Sequence, residues 1–252
     1  MTPTFQMELN LAVKAANAAS DHLRSLDVLV IDREERFDIK LQADREAEAI
    51  ILETLSISGI SVLAEESGEH GRQDGLRWII DPLDGTVNFY YGLLDLSCVS
   101  IALWDGDKPV LGVVSRFAIG ELFTGIVGSG AFLNDRPIRV SGTERLDKAM
   151  YSSGFPVNHN YTPEQLAEWV LRVRRFKKAR MLGSSALMGA FVAAGRLDIY
   201  AEDSAKLWDV AAAIALTQAA GGVTVCKPRD NHQCLVRCFA SDMLQKELGE
   251  IY

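Results

Sequence analysis

The sequence predicts a layered α/β or α+β protein. Three observations support this fold class: helical periodicity up to Leu55, a β-rich region over residues 60–140, and a return of helical patterns after Gly154. Helices and sheets of this kind bury their apolar faces by stacking in layers. The order helices, sheet, helices and further strands therefore predicts a layered sandwich.

Two helices are predicted before the sheet region. Apolar residues recurring at steps of three and four indicate amphipathic helices with one buried stripe. The first pattern is Leu9, Val13, Ala16, Ala19 and Leu23, and the second, after Asp44, is Ala47, Ile50, Ile51 and Leu55. Between them, the strongly charged residues 32–38 predict a surface loop or hairpin.

The middle region contains short runs rich in β-branched and aromatic residues, separated by turn signals such as Gly128-Ser129-Gly130. These runs cover residues 60–63, 78–80, 98–104, 110–114 and 122–127. Their close spacing predicts a largely antiparallel sheet.

Helical signals return in the last third of the chain. Thr162 is predicted to cap a helix, with Pro163 at its first position and Gln165 three residues after the cap. Its predicted apolar stripe is Leu166, Trp169, Val170 and Val173. Two more helices are predicted over residues 185–194 and 209–220, ended by glycines. Two strands are predicted around the turn at residues 227–231.

Composition excludes some functional classes. The 252-residue chain has a net charge of −8, which disfavours a broadly basic face for nucleic acid or anionic membrane. No signal peptide or membrane-spanning stretch is recognisable, so we expect a cytoplasmic protein. Its four cysteines suit a reducing compartment. Cys226, Cys234 and Cys238 lie near His232, but without paired C-x-x-C spacing they favour buried thiols over zinc.

The segment with the clearest chemical signal begins at Trp78 and ends at Phe89. An apolar strand leads to Asp81, Pro82 interrupts the strand, and Asp84 follows in a tight turn with Gly85 and Thr86. Two carboxylates across a rigid turn are able to face one hard cation. Taken alone, the segment also fits an ordinary strand-to-turn corner capped by aspartates.

Two further carboxylates occupy similar positions. Glu65 ends another apolar strand, and Asp209 begins an apolar helix, where the helix dipole stabilises negative charge. Solvated glutamates and a simple helix cap are the alternatives for each residue separately. Together with Asp81 and Asp84, they predict an oxygen-rich site suited to Mg²⁺ rather than zinc.

With these motifs, the chain resembles the inositol monophosphatase family of magnesium-dependent, lithium-sensitive phosphatases over nearly its whole length. Three motifs carry the resemblance in the family's order. They are Ala64-Glu65-Glu66-Ser67, the Asp81-Pro82-Leu83-Asp84-Gly85-Thr86 segment continuing into Val87-Asn88-Phe89, and Trp208-Asp209-Val210-Ala211-Ala212 running into Gly221-Gly222. The resemblance implies an alternating α-β-α-β-α sandwich and a homodimer.

The resemblance also implies a set of site residues. Two or three Mg²⁺ would be bound, the first by Glu65, Asp81 and the Leu83 carbonyl and the second by Asp81, Asp84 and Asp209. Glu65 and Thr86 would orient the attacking water, with Asp44 supporting Thr86. Phosphate would contact the backbone N–H groups of Gly85 and Thr86. Asp84 and Asp209 would also contact the substrate, and the pocket would be completed by Glu202 and by the turn Gly183-Ser184-Ser185.

The predicted site draws on both parts of the chain. Residues 1–140 form an N-terminal α+β half with Glu65 and the Asp81–Thr86 motif, and residues 141–252 form a C-terminal α/β half with Glu202 and Asp209. The two halves are predicted to act as one continuous unit.

The chain departs from the family pattern before Asp44. Lys40 and Leu41 stand where many relatives have Val-Thr, in the segment that supports Thr86. Val87-Asn88 replaces the Lys-Glu common in nucleotide-bisphosphate members. This second difference favours an inositol, polyol or sugar phosphate, with histidinol phosphate and fructose 1,6-bisphosphate as alternatives.

Two other functions compete with this interpretation. A haloacid-dehalogenase-type phosphatase also has a D-x-D-G-T box after a strand, but Asp81 and Asp84 are separated by two residues rather than one. A transcription-associated binding protein is the alternative from another class, since some bacterial relatives act as partners of the transcription machinery. The basic residues 172–180 would be its docking patch.

Overall fold

The structure is a computed structural model that describes residues 5–34, 39–71, 75–155 and 162–249. These residues form helices and strands over most of their length. The helices are α1 (Gln6–Ser25), α2 (Gln42–Leu55), α3 (Thr86–Tyr90), α4 (Pro163–Val173), α5 (Ser185–Ala193), α6 (Leu207–Ala219) and α7 (Asp242–Gly249). The strands are β1 (Ile31–Glu34), β2 (Ile39–Leu41), β3 (Ser61–Ala64), β4 (Gly68–His70), β5 (Leu76–Asp84), β6 (Cys98–Asp105), β7 (Lys108–Arg116), β8 (Glu121–Ile126), β9 (Gly130–Leu133), β10 (Arg136–Ile138), β11 (Met150–Ser152), β12 (Lys178–Arg180), β13 (Ile199–Lys206), β14 (Val223–Pro228) and β15 (Gln233–Phe239).

The two helices predicted at the start of the chain are confirmed. Most of their periodic apolar residues are buried or packed against the core, whereas Ile50 is only half-buried. Helix α2 begins at Gln42, two residues before Asp44, so Asp44 lies in its first turn. In the charged stretch, β1 and β2 pair antiparallel as the arms of a hairpin, and residues 35–38 lie outside the described residues.

Eight strands form the first sheet, in the order β10-β9-β8-β7-β6-β5-β3-β4. Strands β3 and β5 are parallel and the other neighbours are antiparallel, which confirms the prediction of a largely antiparallel sheet. The five predicted runs correspond to β3, β5, β6, β7 and β8. Strands β4, β9 and β10 were not predicted, because they are short and have few buried residues to produce an alternating pattern.

The second sheet has five strands, in the order β12-β11-β13-β15-β14. Strand β11 is parallel to β12 and β13, whereas β13, β15 and β14 are antiparallel. The predicted pair of strands around residues 227–231 is confirmed as the hairpin of β14 and β15.

The elements stack in five alternating layers. Helices α1 and α2 pack on one face of the first sheet, and α5 and α6 lie between the two sheets. Helix α7 covers the outer face of the second sheet. Helices α5 and α6 approach closely at Gly189, where an added Cβ would lie 2.2 Å from the Ala213 Cβ. The predicted layered α/β class is therefore confirmed as an α-β-α-β-α sandwich.

Helix α4 forms where it was predicted, but much of its apolar stripe faces solvent. Its capping box is present, since the Thr162 hydroxyl accepts a hydrogen bond from the Gln165 N–H and the Gln165 side chain accepts one from the Thr162 N–H. Its expected apolar stripe is not buried, and Leu166 and Val170 are 40% and 49% exposed. Capping is local, whereas burial depends on distant elements that a helical pattern does not reveal.

The basic residues 172–180 do not lie on one helix face. They cover the end of α4, a turn and the whole of edge strand β12. Phe176 in the turn is buried and stacks on Tyr151, with ring centroids 4.5 Å apart. Most of the basic side chains around Phe176 are exposed.

None of the helices in the described ranges is sufficiently long and apolar to span a lipid bilayer.

Candidate active site

A β-bulge brings Asp81 and Asp84 to one face of the first sheet. In a regular strand, residues three apart point to opposite faces. Here Asp81 is paired with Ser100 and Asp84 with Cys98, so three steps on β5 match two on β6. Pro82, which has no N–H to donate, lies inside this irregular segment. The bulge therefore directs both aspartates towards the helices between the sheets.

Glu65 reaches the same edge from the neighbouring strand. β3 runs parallel to β5 with Leu63 beside Ile79, so Glu65 follows β3 next to Asp81. The carboxyl groups of Glu65 and Asp81 are neighbours that shift each other's pKa. The Glu65 N–H also donates to the Ile80 carbonyl at 3.3 Å.

The second half of the chain supplies Asp209 and Glu202. Asp209 lies in the first turn of α6, and Glu202 lies on β13 beside a second bulge. Glu202 is 7% exposed, and the Ser185 hydroxyl is 3.5 Å from its Oε1. The structure thus brings together acidic residues from both sheets at one end of the α5–α6 layer.

Electrostatic repulsion shows how close these acidic residues are. Burial raises the pKa of Asp81 well above its usual range, and the charges of Glu65, Asp84 and Asp209 raise it further. Burial, followed by the charges of Glu65 and Asp84, likewise raises the pKa of Asp209. Burial also raises the pKa of Asp84 to about 6 and that of Glu202 to about 7. A divalent cation among these groups would oppose these shifts by stabilising the charged forms.

Asp44 and Thr86 are in direct contact. The Thr86 hydroxyl lies 2.9 Å from the Asp44 Oδ1 and 2.9 Å from the Leu83 carbonyl oxygen. Asp44 is fully buried, and its Oδ2 accepts a hydrogen bond from the Leu41 N–H at 3.0 Å. Burial raises the pKa of Asp44 to about 7, although the charge of Lys40 opposes the shift.

Glu48 lies one helical turn after Asp44 on α2 and holds the chain that follows β3. Its Oε2 accepts a hydrogen bond from the Glu66 N–H at 2.8 Å, and its Oε1 accepts one from the Ser67 N–H at 2.9 Å. One face of α2 therefore supports both acidic motifs of the first sheet. In the sequence, the one local signal for Glu48 is its spacing of four residues from Asp44.

Asp84 is held by the start of α5. Its Oδ2 accepts hydrogen bonds from the Ser184 hydroxyl at 2.6 Å and from the Ala186 N–H at 2.7 Å. Ser184 is buried and also caps α5. Ser184 therefore holds the Asp84 carboxylate in place from within the protein, whereas Gly183 and Ser185 are more exposed to solvent.

Gly85 occupies a position that excludes a side chain. Its φ of 88° is in the left-handed region, and an added Cβ would lie 2.7 Å from the Leu96 carbonyl oxygen. Asn88, another residue missed as part of the site, donates from Nδ2 to the carbonyl oxygens of Leu96 and Leu182, both at 2.8 Å. Asn88 thereby joins the Asp84–Thr86 turn to the Gly183 turn.

Lys40 is the cation that the structure places against this cluster. Its ammonium group contacts the Glu65 Oε1 and lies 2.8 Å from the Glu66 Oε1. Burial opposes its charge, but the carboxylates of Glu65 and Glu66 outweigh this effect and raise the pKa of Lys40. The sequence marked Lys40 as a departure from the family pattern but did not reveal this contact.

The chemistry of the donor set fits a hard divalent cation. Asp81 and Asp84 are buried, Glu65 and Asp209 are half-buried, and carboxylate oxygens are the donors that Mg²⁺ prefers. Among the described residues, no three His, Cys, Asp or Glu side chains form a complete set of ligands as they stand. Ion binding would therefore require these side chains, with Lys40, to adjust.

Comparison with known proteins agrees with the fold. A model of the inositol monophosphatase family matches residues 1–247. A structure of inositol monophosphatase from Anabaena (Nostoc) sp. superposes with a TM-score of 0.86 and 34% identity, covering 98% of this chain and 95% of that one. The fold and the match to the family model define the class of protein. It is a phosphoric monoester hydrolase with a layered α/β sandwich. The chain belongs to the inositol monophosphatase family, whose members are generally metal-dependent and act on small phosphate substrates.

Similar proteins carry two kinds of name. An inositol-1-monophosphatase from Synechocystis sp. is 40% identical over 235 residues, covering 89% of this chain and 82% of that protein. A Nus factor SuhB from Xylella fastidiosa is 37% identical over 221 residues, covering 85% and 80%. The comparisons therefore establish a phosphatase family without specifying the substrate.

Proposed function

We propose that this protein is a Mg²⁺-dependent phosphomonoesterase that hydrolyses a small inositol, polyol or sugar phosphate. The observation that carries the proposal is the convergence of Glu65, Asp81, Asp84 and Asp209 at one end of the α5–α6 layer. Such a group of mutually repelling, desolvated carboxylates is expected where a protein binds multivalent cations.

The metal ligands are assigned from the family motifs. Glu65, Asp81 and the Leu83 carbonyl would hold a first Mg²⁺, and Asp81, Asp84 and Asp209 a second, with two or three ions per site in all. Bound ions of this kind neutralise a phosphate dianion, lower the pKa of water and stabilise the leaving alkoxide.

Thr86 and Glu65 would orient the attacking water. The single hydroxyl proton of Thr86 points to Asp44 or to the Leu83 carbonyl, because both oxygens lie 2.9 Å away. The lone pairs of the Thr86 oxygen are then free to accept a hydrogen bond from water. Glu65 accepts the other water proton, and Asp44 acts through Thr86 as a positioning residue.

The substrate would be held at both ends. The backbone N–H groups of Gly85 and Thr86 would bind the phosphate. Because residue 85 has no Cβ, the turn that carries these groups packs closely against the Leu96 carbonyl oxygen. Glu202 and Asp209 would accept hydrogen bonds from substrate hydroxyls, and the turn Gly183-Ser184-Ser185 would line the pocket. The position of Ser184 behind Asp84 favours a supporting role for this residue within that turn.

In this proposal, water attacks phosphorus in line with the leaving ester oxygen. The P–O bond to the alcohol breaks, and no side chain becomes phosphorylated. A haloacid-dehalogenase-type reaction would instead place phosphate on Asp81. Acid quenching followed by mass spectrometry is expected to find no phosphorylated Asp81, and detection of an aspartyl-phosphate at this residue would overturn direct attack.

Substrate choice is tested by phosphate release from a panel of small phosphomonoesters in Mg²⁺ buffer. The panel includes inositol 1-phosphate, histidinol phosphate, fructose 1,6-bisphosphate and adenosine 3′,5′-bisphosphate. Because Val87-Asn88 stands after Thr86, the highest kcat/KM is expected for an inositol, polyol or sugar phosphate. Preference for the adenosine bisphosphate would contradict the proposed substrate class.

The family resemblance adds an expectation of lithium sensitivity. Titration with LiCl at fixed Mg²⁺ is expected to reduce phosphate release, with KCl as the control for ionic strength. Equal rates in both salts across the titration would contradict this expectation.

We extend the proposal to a cytoplasmic homodimer. The exposed apolar side chains of α4, including Leu166, Val170 and Leu171, offer a surface that a second copy would cover. Light scattering after size exclusion is expected to give about twice the 27.7-kDa chain mass. A monomer mass at micromolar concentration would contradict the homodimer.

A transcription-associated binding role is the second candidate. It is favoured by relatives named Nus factor SuhB and by exposed basic side chains in residues 172–180. Replacement of Arg174, Arg175 and Lys178 by Ser would weaken a macromolecular complex without changing phosphate release. Loss of phosphatase activity as the only effect would instead assign the patch to the enzyme.

A further inference from the structure

Lys40 is held in the site by the local fold of β2. Its neighbours Ile39 and Leu41 are buried, so strand alternation directs Lys40 to the other side. The Lys40 side chain is 25% exposed, and its ammonium group lies between the carboxylates of Glu65 and Glu66. The first of these is a proposed metal ligand, whereas the second lies outside the proposed set.

The charges around Lys40 are strongly unequal. The charge of Lys40 also acts on Asp44 in α2 and on Asp209 in α6, while Arg33 lies opposite Lys40 on the paired strand β1. The ammonium group of Lys40 contacts the edge of the acidic group through Glu65 and Glu66. A pair enclosed in this way differs from an exposed surface ion pair, whose contribution water and salt largely screen.

We propose that Lys40 is a built-in counter-ion of the carboxylate cluster, which holds Glu65 when no metal is bound and competes with the divalent cation that Glu65 would share. This inference rests on the proposed function, since it takes Glu65 as a metal ligand. A cation that binds Glu65 must displace the ammonium group from Oε1 or bind beside its positive charge. Either event lowers cation affinity.

Two neutral replacements and two controls separate charge from side-chain packing. Lys40→Met keeps much of the aliphatic chain and removes the charge, and Lys40→Gln gives a polar neutral variant in case the Met variant does not fold. Lys40→Arg keeps the positive charge. Lys148→Met removes an exposed lysine whose partner Asp147 is 4.0 Å away, well outside the site.

The test is isothermal titration of the chelator-treated full chain with MgCl₂, in the absence of substrate. Lys40→Met or Lys40→Gln is expected to bind Mg²⁺ about tenfold more tightly than the wild type, because one repelling charge has been removed. The Mg²⁺ affinities of Lys40→Arg and Lys148→Met are expected to stay within about threefold of the wild-type affinity. Identical Mg²⁺ affinities for the neutral variants and the wild type would overturn the role of Lys40.

Thermal unfolding gives a second readout that does not depend on activity. Without metal, the neutral variants are expected to unfold at a lower temperature than the wild type, because the carboxylates have lost their counter-ion. This difference should disappear in saturating Mg²⁺. If neither the wild type nor any variant binds Mg²⁺, both the proposed function and the role of Lys40 are overturned. If the wild type and the neutral variants bind Mg²⁺ tightly and with equal affinity, only the role of Lys40 is overturned.

Discussion

The Asp44 carboxylate contacts the Thr86 hydroxyl at 2.9 Å, joining the first turn of α2 to the turn that follows β5. Asp44 is fully buried, so water does not replace this hydrogen bond. Since the same hydroxyl also faces the Leu83 carbonyl, both of its neighbours are acceptors. The Thr86 hydroxyl therefore donates its proton to one of these two oxygens, which leaves its lone pairs to accept a hydrogen bond from water.

Thr86→Val should reduce kcat by about 10²–10³-fold, because the valine is of similar size but does not orient water. Thr86→Ser keeps the hydroxyl and should retain most of the activity. Phosphate release under saturating substrate, with circular dichroism as a check of folding, measures the effect. Thr54→Val is the matched control, since the Thr54 hydroxyl bonds only to the Ile50 carbonyl on α2. Equal kcat values for Thr86→Val and the wild type would contradict the assigned role.

Glu48→Ala should lower both stability and activity. It removes two hydrogen bonds to the backbone of Glu66 and Ser67 and frees the segment that carries Glu65. We expect a loss of about 1–3 kcal/mol in the free energy of unfolding, measured with urea. The exposed Glu53 on the same helix provides the control Glu53→Ala. If the two alanine variants lose equal stability and activity, Glu48 does not hold this segment.

Gly85→Ala should abolish measurable phosphate release. The new Cβ would lie 2.7 Å from the Leu96 carbonyl oxygen, and residue 85 would keep a φ of 88°. Gly120→Ala separates backbone strain from crowding, because Gly120 also has a positive φ, of 70°, but no atom within 4 Å of an added Cβ. The control should lose only about 1 kcal/mol of stability and remain active. An active Gly85→Ala enzyme would show that close packing of residue 85 against the Leu96 carbonyl oxygen is not needed for activity.

The raised pKa of Glu202 makes the stability of the folded chain depend on pH. Burial raises its pKa from 4.5 to about 7, so between these values the folded chain retains a proton that the unfolded chain releases. The contribution of Glu202 to the free energy of unfolding therefore falls as pH rises through this window. Without metal, the free energy of unfolding of Glu202→Gln should rise relative to that of the wild type as pH increases from 4.5 to 8. The expected change in this difference is on the order of 1–3 kcal/mol. A difference between Glu202→Gln and the wild type that does not change with pH would contradict this assignment.

Local patterns predicted much of the secondary structure. The apolar repeats of α1 and α2 and the capping residues of α4 are encoded within a few neighbouring residues, and their helices are confirmed. Whether a stripe is buried depends on what the rest of the chain places against it. For this reason the sequence predicted the cap and the apolar stripe of α4 but did not reveal that the stripe is largely exposed.

In the candidate site too, some features follow from local sequence patterns, whereas others depend on contacts between distant parts of the chain. The strand ends at Glu65 and Asp81 and the helix start at Asp209 are visible in the sequence, and the structure brings these residues together. The bulge that turns Asp84 to the same face as Asp81 depends on pairing with β6. The contacts made by Lys40, Glu48 and Asn88 join residues far apart in the chain, which sequence spacing alone does not pair.

The central claim, that the carboxylate cluster binds the metal required for phosphate ester hydrolysis, is tested most directly through Asp81. Phosphate release by Asp81→Asn and by the wild type is measured after treatment with chelator and again during titration with Mg²⁺. The wild type should be inactive without metal and recover with Mg²⁺, whereas Asp81→Asn should remain at least about 10³-fold slower at every concentration while retaining its fold. Wild-type activity that persists in chelator, or near-normal rates for Asp81→Asn, would contradict the account.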